Sequence, residues 1–237
     1  MASAAPRKRL SQVLPPLILG TATFNAQYND DPAHMPCLDI VRRALEHDIA
    51  AFDTSPYYGP SETLLGGALR ALTPRPPRDG YFLITKAGRI AADEFDYSPA
   101  WIRYSVCRSL ERLGTSYLDL VYAHDVEFVS PAEDGLPERV GVSVMGVSAV
   151  DELDETWALW KSVVGLASGA DSDAARRRDK IARVVEGDMW PGLAEWRDYA
   201  WGSGGQGFTN KRANRGEVPA DGVMERWSKI PNPTQDQ

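Results

Sequence analysis

The chain has 237 residues, 43% hydrophobic and 25% charged, with a formal net charge of −7 and a pI near 5.1. That length holds one large core or two small ones, the acidic balance gives a nucleic-acid surface no support, and no run approaches the ~20 apolar residues of a membrane span. Two cysteines, Cys37 and Cys107, are too few for a disulfide framework and read as reduced core thiols, and the basic start lacks a signal-peptide core, so a cytoplasmic location is the default expectation.

Residues 1–13 are expected to be disordered. Leu17-Ile18-Leu19-Gly20 then reads as a first strand ending in a glycine turn. Leu38, Val41, Ala44 and Leu45 recur at helical spacing, with charged residues on the opposite side. Ile49-Ala50-Ala51-Phe52 is a second strand leading to Asp53, and Ser61 to Leu69 opens a second helix that must stop before Pro74. Tyr81 to Thr85 forms a third strand leading to Lys86. Ser98-Pro99 is a helix entry, with a hydroxyl free to cap and a proline tolerated at the first helical position. Ile102, Val106, Leu110 and Leu113 give that helix its apolar face, and Tyr117 to Ala123 is a fourth strand leading to His124. Strand–helix repetition at about 30 residues per unit predicts a parallel sheet with helical cover.

The pattern then changes. Ser130 to Glu138 is a polar connector without room for a crossover helix, and Arg139 to Ser148 contains a strand of uncertain extent. Helices are expected from Asp151 and over Asp173 to Asp188, and from Trp201 onward an extended or disordered tail. The expectation is one domain over residues 14–200, an α/β partial barrel of the (β/α)8 type: strands one to four, one C-terminal strand and C-terminal helices. An ordinary barrel of that type needs about 250 residues, and this chain spends its later residues on helices and a tail, leaving one more strand at most where four would still be required.

Asp53, Tyr58, Lys86 and His124 all follow strands, and ionisable side chains gathered at one end of parallel strands are what an α/β catalytic rim looks like. A cation beside a phenol favours its charged form, Asp53 can aim Lys86, and His124 can donate to a carbonyl oxygen. Hydride itself demands a nicotinamide or flavin. Each residue also has a plainer reading. Asp53 could cap its turn through Thr54 and Ser55, Tyr58 could be a rim aromatic, Lys86 a solvated turn residue and His124 a structural one. No metal is expected.

The segment Phe52-Asp53-Thr54-Ser55-Pro56-Tyr57-Tyr58-Gly59 through Gly66 resembles the signature of the aldo-keto reductases, and Asp53, Tyr58, Lys86 and His124 match that family's catalytic tetrad. The wording around Thr85-Lys86-Ala87-Gly88-Arg89 and Val121 to Glu127 is similar to the family's sugar-dehydrogenase branch. The resemblance implies oxidation of a D-arabinose- or L-galactose-like aldose to a lactone, or reduction of the reverse carbonyl. Gly20 and Thr21 resemble its first-strand cofactor contact, and Asp53 is expected to meet the cofactor as well. Val144 to Thr156 looks like its segment after the eighth strand, where Ser148 and Glu155 would contact the cofactor. Gly146, Ser148 and Glu152 stand where members selective for the phosphorylated cofactor carry Arg or Lys, so NAD is favoured over NADP. The family's strands five to seven have no counterpart, the join falling near 135–142. That leaves a catalytically impaired truncated relative as the alternative, with open sheet edges offering self-association.

Overall fold

The computed structural model describes residues 12–126, 129, 143–167, 172–194 and 208–228. Strands β1 (Leu17–Gly20), β2 (Ala51–Asp53), β3 (Phe82–Ala87), β4 (Leu120–Ala123) and β5 (Ser143–Gly146) form one wholly parallel sheet in the order β4-β3-β2-β1-β5. The sheet is open, with β4 and β5 at its edges, which is the architecture of a partial barrel. The most hydrophobic strand, β1, is buried along its whole length because it lies between β2 and β5. The join expected near 135–142 lies outside the described residues, as do residues 1–11 of the expected disordered start.

The crossovers are α1 (Cys37–Glu46), α2 (Ser61–Ala71) and α3 (Pro99–Leu113). After β5 come α4 (Val150–Ala167) and α5 (Ser172–Val184), which continues through a π turn (Val185–Met189) into the short α6 (Trp190–Gly192). A last short helix, α7, spans Val223–Trp227. The α3 entry behaves as the residue types dictate: Ser98 Oγ accepts from Trp101 N at 3.3 Å, and Gly114, at φ 67°, ends the helix in the left-handed conformation. α1, α2 and α4 lay Ile40, Val41, Leu65, Leu69 and Leu153 on Leu17, Leu19, Phe52 and Leu83, the residues that β1 to β3 direct to one face. Gly66 lets α2 and α3 approach closely, since a Cβ there would lie 2.3 Å from the Arg112 carbonyl oxygen. Both cysteines are free and buried, and burial pushes the Cys37 thiol up to about 11.

Strand alternation places Ile18, Ala51 and Ile84 on the other face, and by the same parity Asp53 and Lys86. Two expectations need correction. Lys86 lies inside β3 rather than beyond it, because the β3–β4 ladder runs on to Ala87. Tyr117 to Asp119 precede β4 rather than begin it, Asp119 turning its carboxylate back to the Leu83 amide at 2.8 Å. Of the extended or disordered tail expected from 201, residues 208–228 are described, and they run as a strap against α3 that ends in α7. Asn210 brackets both backbone groups of Phe95, Gly216 N donates to Asp96, and Tyr104 donates to Asp221 at 2.7 Å. These side-chain anchors are invisible to a Gly- and Pro-rich composition.

Candidate active site

The parallel ladder brings the C-terminal ends of β1, β2 and β3 side by side, with Gly20 opposite Asp53 and Asp53 opposite Ile84. Lys86 is one inward-facing step beyond Ile84, so its side chain reaches back over the end of β2. Its Nζ donates to Asp53 Oδ1 at 2.5 Å and to the Thr54 carbonyl at 3.1 Å. Both partners are nearly buried, with side chains 15% and 11% exposed. Burial pushes the Asp53 carboxyl up from the ordinary carboxylate range, and the Lys86 charge opposes that push.

Tyr58 enters from the β2–α2 loop, a tight turn in which Tyr58 N donates to Ser55 O and Ser61 N to Tyr58 O, both at 3.1 Å. Gly59 follows at φ 56°, a backbone that suits glycine. The Lys86 ammonium lies 4.7 Å from the centre of the Tyr58 ring. The contact is therefore with the face of the ring. The phenol hydroxyl has no hydrogen-bond partner among the described residues.

His124 follows β4 and extends the ladder, its N–H donating to Ala87 O at 2.8 Å. Tyr97 donates its hydroxyl to the His124 carbonyl. The imidazole stands edge-on to the Tyr58 ring, centroids 5.6 Å apart and planes at 86°, and likewise to Tyr57. Its Nδ1 lies 3.0 Å from Ser55 Oγ. Burial lowers the His124 pKa to about 4, with Lys86 and Arg89 adding to the effect and Asp125 opposing it, so the ring is neutral at pH 7. Asp125 is itself paired with Arg89, whose guanidinium covers the Tyr57 ring at 4.1 Å.

This shift has a consequence for stability. In the unfolded chain His124 takes up its proton near 6.5, in the fold only near 4. The unfolded state therefore binds more protons between those values. Stability contributed by His124 is whole above 6.5 and is lost as pH falls toward 4, by about 3 kcal/mol in all. Asp53, pushed the other way, acts in the opposite sense. The check is therefore the difference in urea unfolding free energy between the wild type and His124→Gln at several pH values. That difference is expected to shrink as pH drops from 7 to 4, and a constant difference would mean that His124 titrates alike in both states.

The residues expected to meet a cofactor are placed unevenly. Gly20 pairs with Gly146 of β5, and a Cβ on it would lie 2.9 Å from Val144, so sheet packing alone accounts for the glycine. Thr21 is fully buried, its hydroxyl 3.0 Å from Asp53 O and 2.8 Å from Ser61 Oγ, which ties β1 to β2 beneath the site. Ser148 stands at the start of α4, its hydroxyl 3.2 Å from Asn29 Nδ2. Glu152 folds back to accept from Ser148 N at 2.7 Å and Ala149 N at 3.3 Å. Glu155, one turn on, is exposed. The β5 segment thus delivers an N-terminal helix end beside Gly20, at the same end of the sheet as Asp53.

Sequence reading passed over several supporting groups. Ser55, Tyr57, Arg89 and Asp125 surround His124, and Glu62 is wholly buried, accepting from Thr85 at 2.8 Å and Arg112 at 3.3 Å to fasten α2 to β3 and α3. Only the closeness of Ser55 and Tyr57 to Asp53 in the chain hinted at a role. Arg89, Asp125 and Glu62 carry no pattern that separates them from surface charges.

The aldo/keto reductase family model matches residues 16–164, more than half of the chain. D-arabinose 1-dehydrogenase of Saccharomyces cerevisiae is 60% identical over 114 residues, covering 48% of this chain and 34% of the relative. L-galactose dehydrogenase of Arabidopsis thaliana is 47% identical over 92 residues, covering 38% and 28% respectively. The crystal structure of an aldo-keto reductase of the silkworm Bombyx mori is 24% identical, with a TM-score of 0.39 over 47% of this chain and 33% of that one. The chain spans about a third of the length of these two curated relatives. By the extent of the family match, the chain belongs to the aldo/keto reductase family.

Proposed function

We propose that the chain is an NAD-dependent oxidoreductase of the aldo-keto reductase type. It would oxidise a D-arabinose- or L-galactose-like aldose at its anomeric carbon to a lactone, or reduce the reverse carbonyl. The observation that carries this reading is the buried Lys86–Asp53 pair lying under the Tyr58 ring, with a neutral His124 edge-on to the same ring. The names of the two sugar dehydrogenases similar to this chain suggest the substrate class.

The chain's own groups divide the work by their chemistry. Tyr58, with its hydroxyl uncommitted, takes the proton from the anomeric hydroxyl or returns it to the carbonyl oxygen. The Lys86 ammonium stabilises negative charge developing on that phenol oxygen, and Asp53 holds the ammonium in place. A neutral imidazole is a poor proton donor but a good hydrogen-bond donor, so His124 orients the oxygen and leaves proton transfer to Tyr58. A nicotinamide, when bound, supplies or accepts the hydride that no side chain carries. Gly20, Thr21, Asp53, Ser148 and Glu155 are the residues proposed to hold the cofactor. The preference for NAD rests on Glu152, whose carboxylate already occupies the amides at the start of α4; a 2′-phosphate there would have to displace it against like-charge repulsion.

A second reading, an impaired relative, is favoured by the open sheet. Tyr122 on β4 and Val144 on β5 are 40% and 56% exposed at the edges where further strands would continue a barrel. Under it the proton-transfer groups persist while nicotinamide binds weakly, or two chains pair through those edges. Titration of the full chain with NAD and NADP, followed by tryptophan fluorescence, and a search for reduced nicotinamide with D-arabinose and L-galactose separate the two. Saturable micromolar NAD binding with aldose-dependent NADH formation supports the oxidoreductase. Absence of turnover at saturating NAD gives the case to the second reading.

A further inference from the structure

Behind the imidazole lies a hydroxyl that the proton-transfer chemistry does not use. We infer that Ser55 is a positioning residue that holds neutral His124 in the tautomer with its proton on Nε2, so that the ring presents a donor to the reacting oxygen. This deepens the oxidoreductase reading and rests on it.

The direction of the Ser55–His124 bond follows from counting donors. Ser55 is fully buried, and its Oγ already accepts from Tyr57 N at 3.1 Å. Its own proton has one acceptor among the described residues, His124 Nδ1 at 3.0 Å. Were Nδ1 to carry the ring proton, Oγ would receive two donors and its hydrogen would be left without a partner in a buried place. A buried donor is seldom left so. With Ser55 donating, Nδ1 is the acceptor and a neutral ring must bear its hydrogen on Nε2.

The other side of the ring agrees. Asp125 Oδ2 stands 3.7 Å from His124 Nε2, too far for a hydrogen bond but close enough to favour a hydrogen over a lone pair there. The cations near the ring, Lys86 and Arg89, are each paired with a carboxylate, Asp53 and Asp125. Nε2 itself has no hydrogen-bond partner among the described residues, so its donor is uncommitted. Tyr97, through the His124 carbonyl, fixes the backbone from which the ring hangs. The Ser55 bond sets the tautomer and the nearby Asp125 charge favours the same one, and the remaining donor sits on the ring that stands against Tyr58.

Long-range proton–nitrogen correlation spectra of the full chain, labelled with nitrogen-15, read the tautomer directly, with His124→Gln assigning the signal among the three histidines. At pH 7 the wild type is expected to show a neutral His124 protonated on Nε2. Ser55→Ala is expected to move the ring toward a mixture with Nδ1-protonated imidazole, and Ser55→Thr, which keeps the donor, to restore the wild-type pattern. In aldose oxidation Ser55→Ala is expected to lower kcat about tenfold with little change in KM, and Ser55→Thr to recover most of it. A wild-type ring protonated on Nδ1, or a Ser55→Ala spectrum identical to the wild type, overturns the inference. The wild-type spectrum decides even if Ser55→Ala does not fold. Expected tautomers without any turnover uphold the hold of Ser55 on the ring and overturn the oxidoreductase reading instead.

Discussion

Replacing Tyr58 by Phe is expected to lower aldose oxidation by about 10²–10⁴-fold, with NAD binding and unfolding free energy close to wild type. The size follows from what is removed. Phe keeps the ring over the Lys86 ammonium and against His124, so the cation–π contact and the edge-on packing persist. Only the hydroxyl goes, and it bonds to nothing else among the described residues, so no buried partner is stranded. What is lost is the proposed acid and base. Steady-state rates measured beside NAD titrations make the test: turnover within a few-fold of wild type would assign the proton to another group. A parallel loss of binding and stability would mean that the phenol holds the loop in shape.

Lys86→Met is expected to abolish turnover and to destabilise the fold by about 3–5 kcal/mol at pH 7. Methionine fills much of the volume but leaves the Asp53 carboxylate buried without its charge partner and the Thr54 carbonyl without its donor. Breaking one half of a buried pair costs more than removing both. The double variant Asp53→Asn with Lys86→Met is therefore expected to recover part of the loss while remaining inactive. Burial already pushes the Asp53 carboxyl up, and without Lys86 it rises further. A raised folded-state carboxyl gains stability as pH falls, so the gap between Lys86→Met and wild type is expected to narrow between pH 7 and pH 5. Urea unfolding at both values, with the double variant as control, checks the sign. A gap independent of pH would place Asp53 in water and remove the basis for its role in aiming Lys86.

The local chemistry was open to reading from the chain alone. Short apolar runs bounded by Gly, Pro and polar residues mark β1 to β4, and the helical spacing of Leu38, Val41 and Ala44 marks α1. Ser98-Pro99 marks the start of α3, because capping depends only on neighbours within a turn. Asp53, Tyr58, Lys86 and His124 could be selected because each lies at or near a strand end, and strand ends are local features. The ends themselves were harder to judge. Lys86 proved to be inside β3, since a ladder continues as far as its neighbour strand supplies partners.

What joins residues far apart in the chain was decided by tertiary structure. β5 pairs with β1 across more than a hundred residues, and that pairing brings Ser148 and Glu152 beside Gly20. No period in the sequence dictates it. The Ser55–His124 and Lys86–Asp53 bonds depend on β2, β3 and β4 lying in that order and register, so that side chains of matching parity share one face. The strap over 208–228 depends on Asp96, Tyr104 and Glu111 being already arrayed on and before α3 to receive it. Sequence by itself determined which groups could do acid–base chemistry, because that is a property of side chains. Only the folded sheet decided which hydroxyl, carboxylate and ammonium meet, because hydrogen bonds act over about 3 Å and the chain must close long loops to bring them that near.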